Sequence, residues 1–201
     1  MLTASALKVL FIIHLGLAAQ VPPELGADVW AAAEAHSVDP YDLAALLISE
    51  ESGKHWNFSL TKAAARRDRG TRFVYKSTAE GQAGEQGYFQ ISESWRRKYA
   101  RQVLGDPKAE VDLTDPTVNV YVGAFVMAKA LESHADHSDK KHHWTAHWKC
   151  GRGARNDSCG GCKQAQVKWK GIRSSLMRLT TTKEQRKTRR REWNAAVCTT
   201  S

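Results

Sequence analysis

Two Asp-Pro pairs, Asp39-Pro40 and Asp115-Pro116, constrain this chain more than any other feature. An Asp side chain accepts the free N–H groups that open a helix, and Pro suits the first helical position, where it has no N–H to lose. Each pair leads into apolar residues at helical spacing. In "DPYDLAALLISEESG" these are Leu43, Leu46 and Leu47; in "DPTVNVYVGAFVMAKALESH" they are Val118, Val122, Phe125, Val126 and Leu131. Asp42 adds an acid to the first turn of the first helix, and Gly53 is placed to end it. The other periodic segments read the same way. "ADVWAAAEAHSV" is an Ala-rich helix with Val29 and Trp30 toward the core. "FQISESWRRKYARQVLG" is a helix with Ser92 as N-cap and Trp95 on its apolar face. "QAQVKWKGIRSSLMRL" is a last helix. There is no internal repeat and little strand, so the expected fold class is mainly α.

The 201 residues fit one domain with tails. With 42% hydrophobic residues the chain can bury a core without disulfides. Residues 1–20 hold an apolar run from Val9 to Ala19, too short to span a bilayer comfortably. They read as an export signal or as an N-terminal helix packed on the core. The small residues of "GLAAQ" favour the signal; the single Lys8 and His14 count against it. Residues 21–180 are the expected domain. Residues 54–86 are basic and rich in turn signals, mostly loop. Residues 181–201 are a basic tail. Cys150, Cys159, Cys162 and Cys198 fit one or two disulfides in an exported protein, or free thiols. His142, His143 and His147 lie upstream of the CxxC, but no second tight ligand pair accompanies it, so no metal is expected.

The net charge of +9 points to an anionic partner. Nucleic acid is one class. However, the basic residues gather in the 61–76 loop and the tail, not along one recognition helix, and no zinc-finger or helix-turn-helix spacing is present. No specific nucleic acid is therefore expected. An acidic wall polymer or a membrane surface suits the tail better.

The chemistry begins at "SEESG". Glu50 and Glu51 stand in the last turn of an apolar helix. Glu50 reads as a solvated helix-end charge. A carboxyl group kept partly dry at such a place has a raised pKa and can donate a proton near neutral pH, as cleavage of a glycosidic bond requires. A sugar chain also needs amide and hydroxyl partners, for which Gln90 and Ser52 are candidates. It needs flat apolar faces, for which Tyr88, Phe89, Trp144 and Trp148 are candidates.

"VDPYDLAALLISEESG", "GEQGYFQIS", "DPTVNVYVGAFVMAKALE" and the aromatic–glycine turn "AHWKCGRG" together resemble the catalytic domain of soluble lytic transglycosylases, related to goose-type lysozyme. The likeness covers roughly residues 28–180. It implies a lysozyme-like helical domain with a saccharide-binding cleft. The implied activity is cleavage of the β-1,4 bond between N-acetylmuramic acid and N-acetylglucosamine in peptidoglycan, leaving a 1,6-anhydro product. It needs no cofactor, and the implied partner is the peptidoglycan glycan strand, met by a monomer. Glu51, directly before Ser-Gly, matches the catalytic acid. Ser52 matches the serine beside it, Gln90 the glutamine lining the cleft, and Gly87 the glycine that lets backbone approach. Asn119 and Gly123 match a third segment with a structural part. The implied location is the periplasm or cell envelope, or a virion-associated lysin.

Two departures bear on mechanism. The family's Ala-Tyr-Asn-x-Gly corresponds here to Ala-His-Trp-Lys-Cys-Gly, so Trp148 stands where a Tyr is expected; His147 is the candidate substitute. The segment between Glu51 and Gln90 is longer by roughly twenty residues, beyond ordinary loop lengths. It carries Asp68, Glu80 and Glu85. A second carboxylate reaching the cleft would activate water and make the enzyme a hydrolase.

Overall fold

A computed structural model describes residues 4–19, 23–51, 84–135, 144–145, 148 and 160–180. Their architecture is mainly α, as the helix starts predict. The helices are α1 (Ala4–Ala19), α2 (Pro23–Ala35), α3 (Pro40–Glu51), α4 (Glu93–Gln102), α5 (Pro116–Ala135) and α6 (Gly160–Thr180). Trp144, Thr145 and Trp148 also have helical backbone. Among the described residues the one extended pairing is a bridge between Gln86 and Ile91. None of the described helices is long and apolar enough to cross a membrane.

Helix α3 is central. Every residue from Tyr41 to Ser49 is buried. A helix buried on every side, polar Asp42 and Ser49 included, has no solvent face to offer and must be surrounded. It packs on α6, α2 and α5. Its start follows from the Asp-Pro pair. Asp39 Oδ1 accepts the N–H groups of Tyr41 at 2.8 Å and Asp42 at 3.2 Å. The second pair repeats this: Asp115 Oδ1 accepts the Val118 N–H at 2.9 Å. Ser92 holds the N-cap position of α4, but its hydroxyl makes no cap bond and meets Ser94 Oγ at 3.0 Å instead. Helices α2 and α6 begin earlier than expected, α2 at Pro23, a residue type suited to a first turn. Gly53 lies outside the described residues.

Residues read as an export signal or a core helix form α1, with Phe11 and Leu15 fully buried. The Phe11 ring meets Trp30 edge-on at 5.2 Å and Tyr41 at 5.1 Å. Loss of α1 would expose both partners, and each large side chain so uncovered is worth roughly 1.5–3 kcal/mol.

Helix α6 is tied to the start of α3. The Arg173 guanidinium pairs with the Asp42 carboxylate, which is 1% exposed, and lies 3.9 Å from Asp39 Oδ2. Burial works against the charge on Arg173, but the two carboxylates outweigh it and hold its pKa above the ordinary value. Trp169 Nε1 donates to the Asp42 carbonyl at 3.2 Å, and the Trp169 ring stacks edge-on with Trp144 at 5.2 Å. Trp144, a candidate sugar platform in the sequence, is 4% exposed and belongs to the core. Trp30 is core as expected.

Candidate functional site

The sequence singled out Gly87, Tyr88, Phe89 and Gln90, and they form one tight turn. Gln86 and Ile91 close it by exchanging both backbone hydrogen bonds at 2.9 Å. The Gln90 N–H and its side-chain Nε2 both donate to the Gly87 carbonyl, at 3.1 and 2.8 Å. Gly87 has φ +73° and Gln90 φ +49°. For a residue with a Cβ this left-handed conformation costs of order 1 kcal/mol or more, so it persists only where the surroundings impose it.

The imposing residue is Asn119, fully buried on α5. Its Oδ1 accepts the Phe89 N–H at 2.9 Å, and its Nδ2 donates to the carbonyls of Leu113 at 2.9 Å and Gln86 at 3.1 Å. One amide therefore bonds the turn at Gln86 and Phe89 and ties it to the buried Leu113 carbonyl. Gly87 is required by this approach. A Cβ there would stand 2.1 Å from Asn119 Nδ2 and 2.5 Å from the Leu113 carbonyl oxygen. Four residues along the same helix face, Gly123 makes room for the Phe89 ring, which would lie 2.6 Å from a Cβ at that position. Asn119 and Gly123 thus seat the turn from one face of α5.

The aromatic residues divide differently from expectation. Phe89 is 0% exposed, its ring set against Gly123 and, edge-on at 6.1 Å, against Trp148. It offers no open face to a sugar; it plugs the turn onto the helix. Tyr88 is also buried, at 6%. Trp148 is half-buried, so part of its surface faces solvent beside the turn. Gln90 is half-buried too, and Glu85, just before the turn, likewise.

Glu51 is the last residue of α3, at the end of the buried helix. The side chains of Glu50 and Glu51 lie outside the described residues, as do Ser52 and His147. So do Asp68, Glu80, His142, His143, Cys150, Cys159, Cys198 and the tail 181–201; Cys162 falls in α6 with its side chain undescribed. Among the described residues no group of three His, Cys, Asp or Glu side chains is placed to hold a metal. Two hollows along α4, of about 550 Å³ each, include none of the candidate site residues.

Sequence reasoning missed how the turn is held. It gave Asn119 and Gly123 a structural part but did not connect them to Gly87 and Phe89. The available signal was a polar Asn inside an apolar helical stripe with Gly four residues on, a pair that must face something requiring both an amide and space. Comparison with protein-family models, curated proteins and solved structures finds no match to the chain.

Proposed function

We infer that this chain is a peptidoglycan lytic transglycosylase with a lysozyme-like domain and a saccharide cleft. It cuts the β-1,4 bond between N-acetylmuramic acid and N-acetylglucosamine, with Glu51 as its single acid and base. The observation that carries this reading is the Gly87–Gln90 turn, in which a polar residue is held in left-handed backbone on a buried Asn119. Strain of this kind clusters at active sites and ligand clamps, where the surrounding structure holds it in place. The turn belongs to the same segment that resembles the family's saccharide-lining one. Trp148, half-buried on Phe89, supplies an aromatic edge beside it.

The proposed chemistry has two steps. Glu51 gives its proton to the glycosidic oxygen as the C1–O bond breaks. It then takes the proton of the muramoyl 6-hydroxyl as that oxygen bonds to C1, closing the 1,6-anhydro ring. No water is consumed and the acid is regenerated. Glu51 is the last residue of α3, and a carboxyl group at the partial negative end of a helix is suited to donating a proton. The working site would be the cell envelope, outside the cytoplasm, and the cationic tail would add affinity for anionic wall polymer or membrane. A muramidase reading is kept by one observation: Glu85 is a half-buried carboxylate next to the turn.

Digestion of purified peptidoglycan by the wild type and Glu51→Gln, with products read by mass, tests the reading. Anhydro-muropeptides from the wild type and none from the variant are expected. Reducing-end products would mean hydrolysis, and an active Glu51→Gln would refute the assignment of the acid.

A further inference from the structure

Helix α4 turns one face to α5 and a cationic one to solvent. Tyr99 and Ala100 are buried, with the Tyr99 ring 5.5 Å from Phe125, so the helix is firmly seated. Arg97 and Arg101 stand four apart and form one stripe on α4, and Val103 and Leu104 follow just beyond its C-terminal end. Arg97 is 71% exposed. Lys98 lies beside the stripe, its ammonium 4.5 Å above the Trp95 ring. Ser94, Arg97, Lys98, Arg101 and Gln102 line, with Glu93, an open hollow of about 550 Å³. Glu93 neutralises part of the charge, bonding Arg96 at 2.6 Å and Arg97 at 2.8 Å. Exposed pairs of this kind are weak and readily exchange for another anion. Glu110 and Asp106 are the other nearby acids in the sequence; the Asp106 carboxylate is engaged by the Lys108 N–H at 2.8 Å.

The stripe ends in an unusual way. Val103 and Leu104 are 43% and 49% exposed, two adjacent aliphatic side chains beside a cluster of cations. Gly105, at φ +73°, then turns the chain, and a Cβ on it would meet nothing within 4 Å. The aliphatic pair therefore sits on the exposed turn that ends α4.

We propose that this end of α4 docks on an anionic lipid bilayer, with Arg97, Lys98 and Arg101 meeting phosphate groups and Val103 and Leu104 entering the interface. A soluble polyanion such as nucleic acid or a wall polymer would reward the cations but not the aliphatic pair. A bilayer rewards both, because its headgroups carry the charge and its acyl boundary accepts apolar surface. This surface is separate from the turn at Gly87–Gln90 and does not depend on the catalytic reading.

Flotation of the full chain with vesicles tests the proposal. Wild type is expected to float with mixed phosphatidylglycerol–phosphatidylcholine vesicles and to stay behind with phosphatidylcholine alone. Arg97→Gln/Arg101→Gln is expected to lower partitioning roughly thirty-fold, each cation near an anionic leaflet being worth about fivefold. Val103→Ser/Leu104→Ser is expected to lower it roughly tenfold with both cations intact. These positions are exposed, so circular dichroism of all variants should match the wild type. The proposal fails if wild type ignores anionic vesicles. It also fails if the arginine variant floats like wild type, since the basic tail would then be the anchor. Equal flotation of the serine variant, together with tight wild-type binding to dextran sulfate, would mean a surface for soluble polyanions and would equally overturn it.

Discussion

Asn119→Ala should destabilise the fold by an amount that follows from three hydrogen bonds. The substitution removes the acceptor for the Phe89 N–H and the donor for the Leu113 carbonyl. Those groups belong to residues 0% and 2% exposed, so water cannot readily replace the amide. A buried polar group left without a partner costs about 1–3 kcal/mol, giving roughly 2–6 kcal/mol for the two. The Gln86 carbonyl, on a half-buried residue, can turn to water and adds little. A domain of this class has about 5–15 kcal/mol of stability in all, so the loss is a large share. With a urea slope of about 2–3 kcal/mol per M, the unfolding midpoint should fall by roughly 1–3 M at constant slope. Amide exchange adds a local readout, because the Phe89 N–H should lose protection ahead of the helices. Asn119→Asp should be at least as damaging at neutral pH. It keeps the acceptor for Phe89 but points a carboxylate oxygen at two carbonyls. A midpoint shift under about 0.3 M, with Phe89 still protected, would refute the role given to Asn119.

Three further outcomes follow. Gly123→Ala should cost about 1–3 kcal/mol by overpacking against the Phe89 ring, whereas Gly171→Ala, with nothing near its added Cβ and helix on both sides, should gain about 0.5–1 kcal/mol; thermal melting of the pair checks both signs. Arg173→Met leaves the buried Asp42 carboxylate without its cation and should destabilise by about 3–5 kcal/mol in urea, against under about 1 kcal/mol for Glu93→Gln on the surface. Burial among Tyr99, Tyr121 and Phe125 lowers the His36 pKa from 6.5, so the unfolded chain takes up a proton first as the solution is acidified. Stability from this group is full above about pH 6.5 and falls below it. In His36→Phe that part of the pH dependence should vanish from denaturation midpoints measured across the range.

The helix starts were legible because capping is local. An Asp and the N–H groups it accepts are two or three residues apart, so Asp39-Pro40 and Asp115-Pro116 announce themselves in one dimension. Ser92 shows the limit of the same logic: the hydroxyl had a second local partner, Ser94, and took it. How the helices pair was not legible. Helix α3 is buried on all sides from Tyr41 to Ser49, polar Asp42 and Ser49 included, so the Leu43–Leu46–Leu47 spacing that marks the helix does not name its neighbours. The choice is fixed by Arg173 reaching Asp42 across 131 positions of sequence. No spacing rule reveals such a pair, because a first-turn Asp has an ordinary local explanation.

The turn at Gly87–Gln90 lies between these cases. Phe89 looked like a sugar platform because an exposed and a buried aromatic are identical as letters. What distinguishes them is Gly123: a glycine inside a helix costs about 1 kcal/mol relative to alanine, so its place there needs a packing reason. Asn119, a poor helix former in an apolar stripe, needs a polar one. Two unfavourable choices four residues apart therefore imply one object seated over that face, with backbone to bond and a ring to admit. Phe89 meets both conditions, offering an N–H to Asn119 and a ring to Gly123. Gln90 is then the polar residue of the turn left half-exposed once Phe89 is packed against α5, so under the proposed function a saccharide-lining role would belong to Gln90 and the half-buried Trp148, not to the buried aromatic.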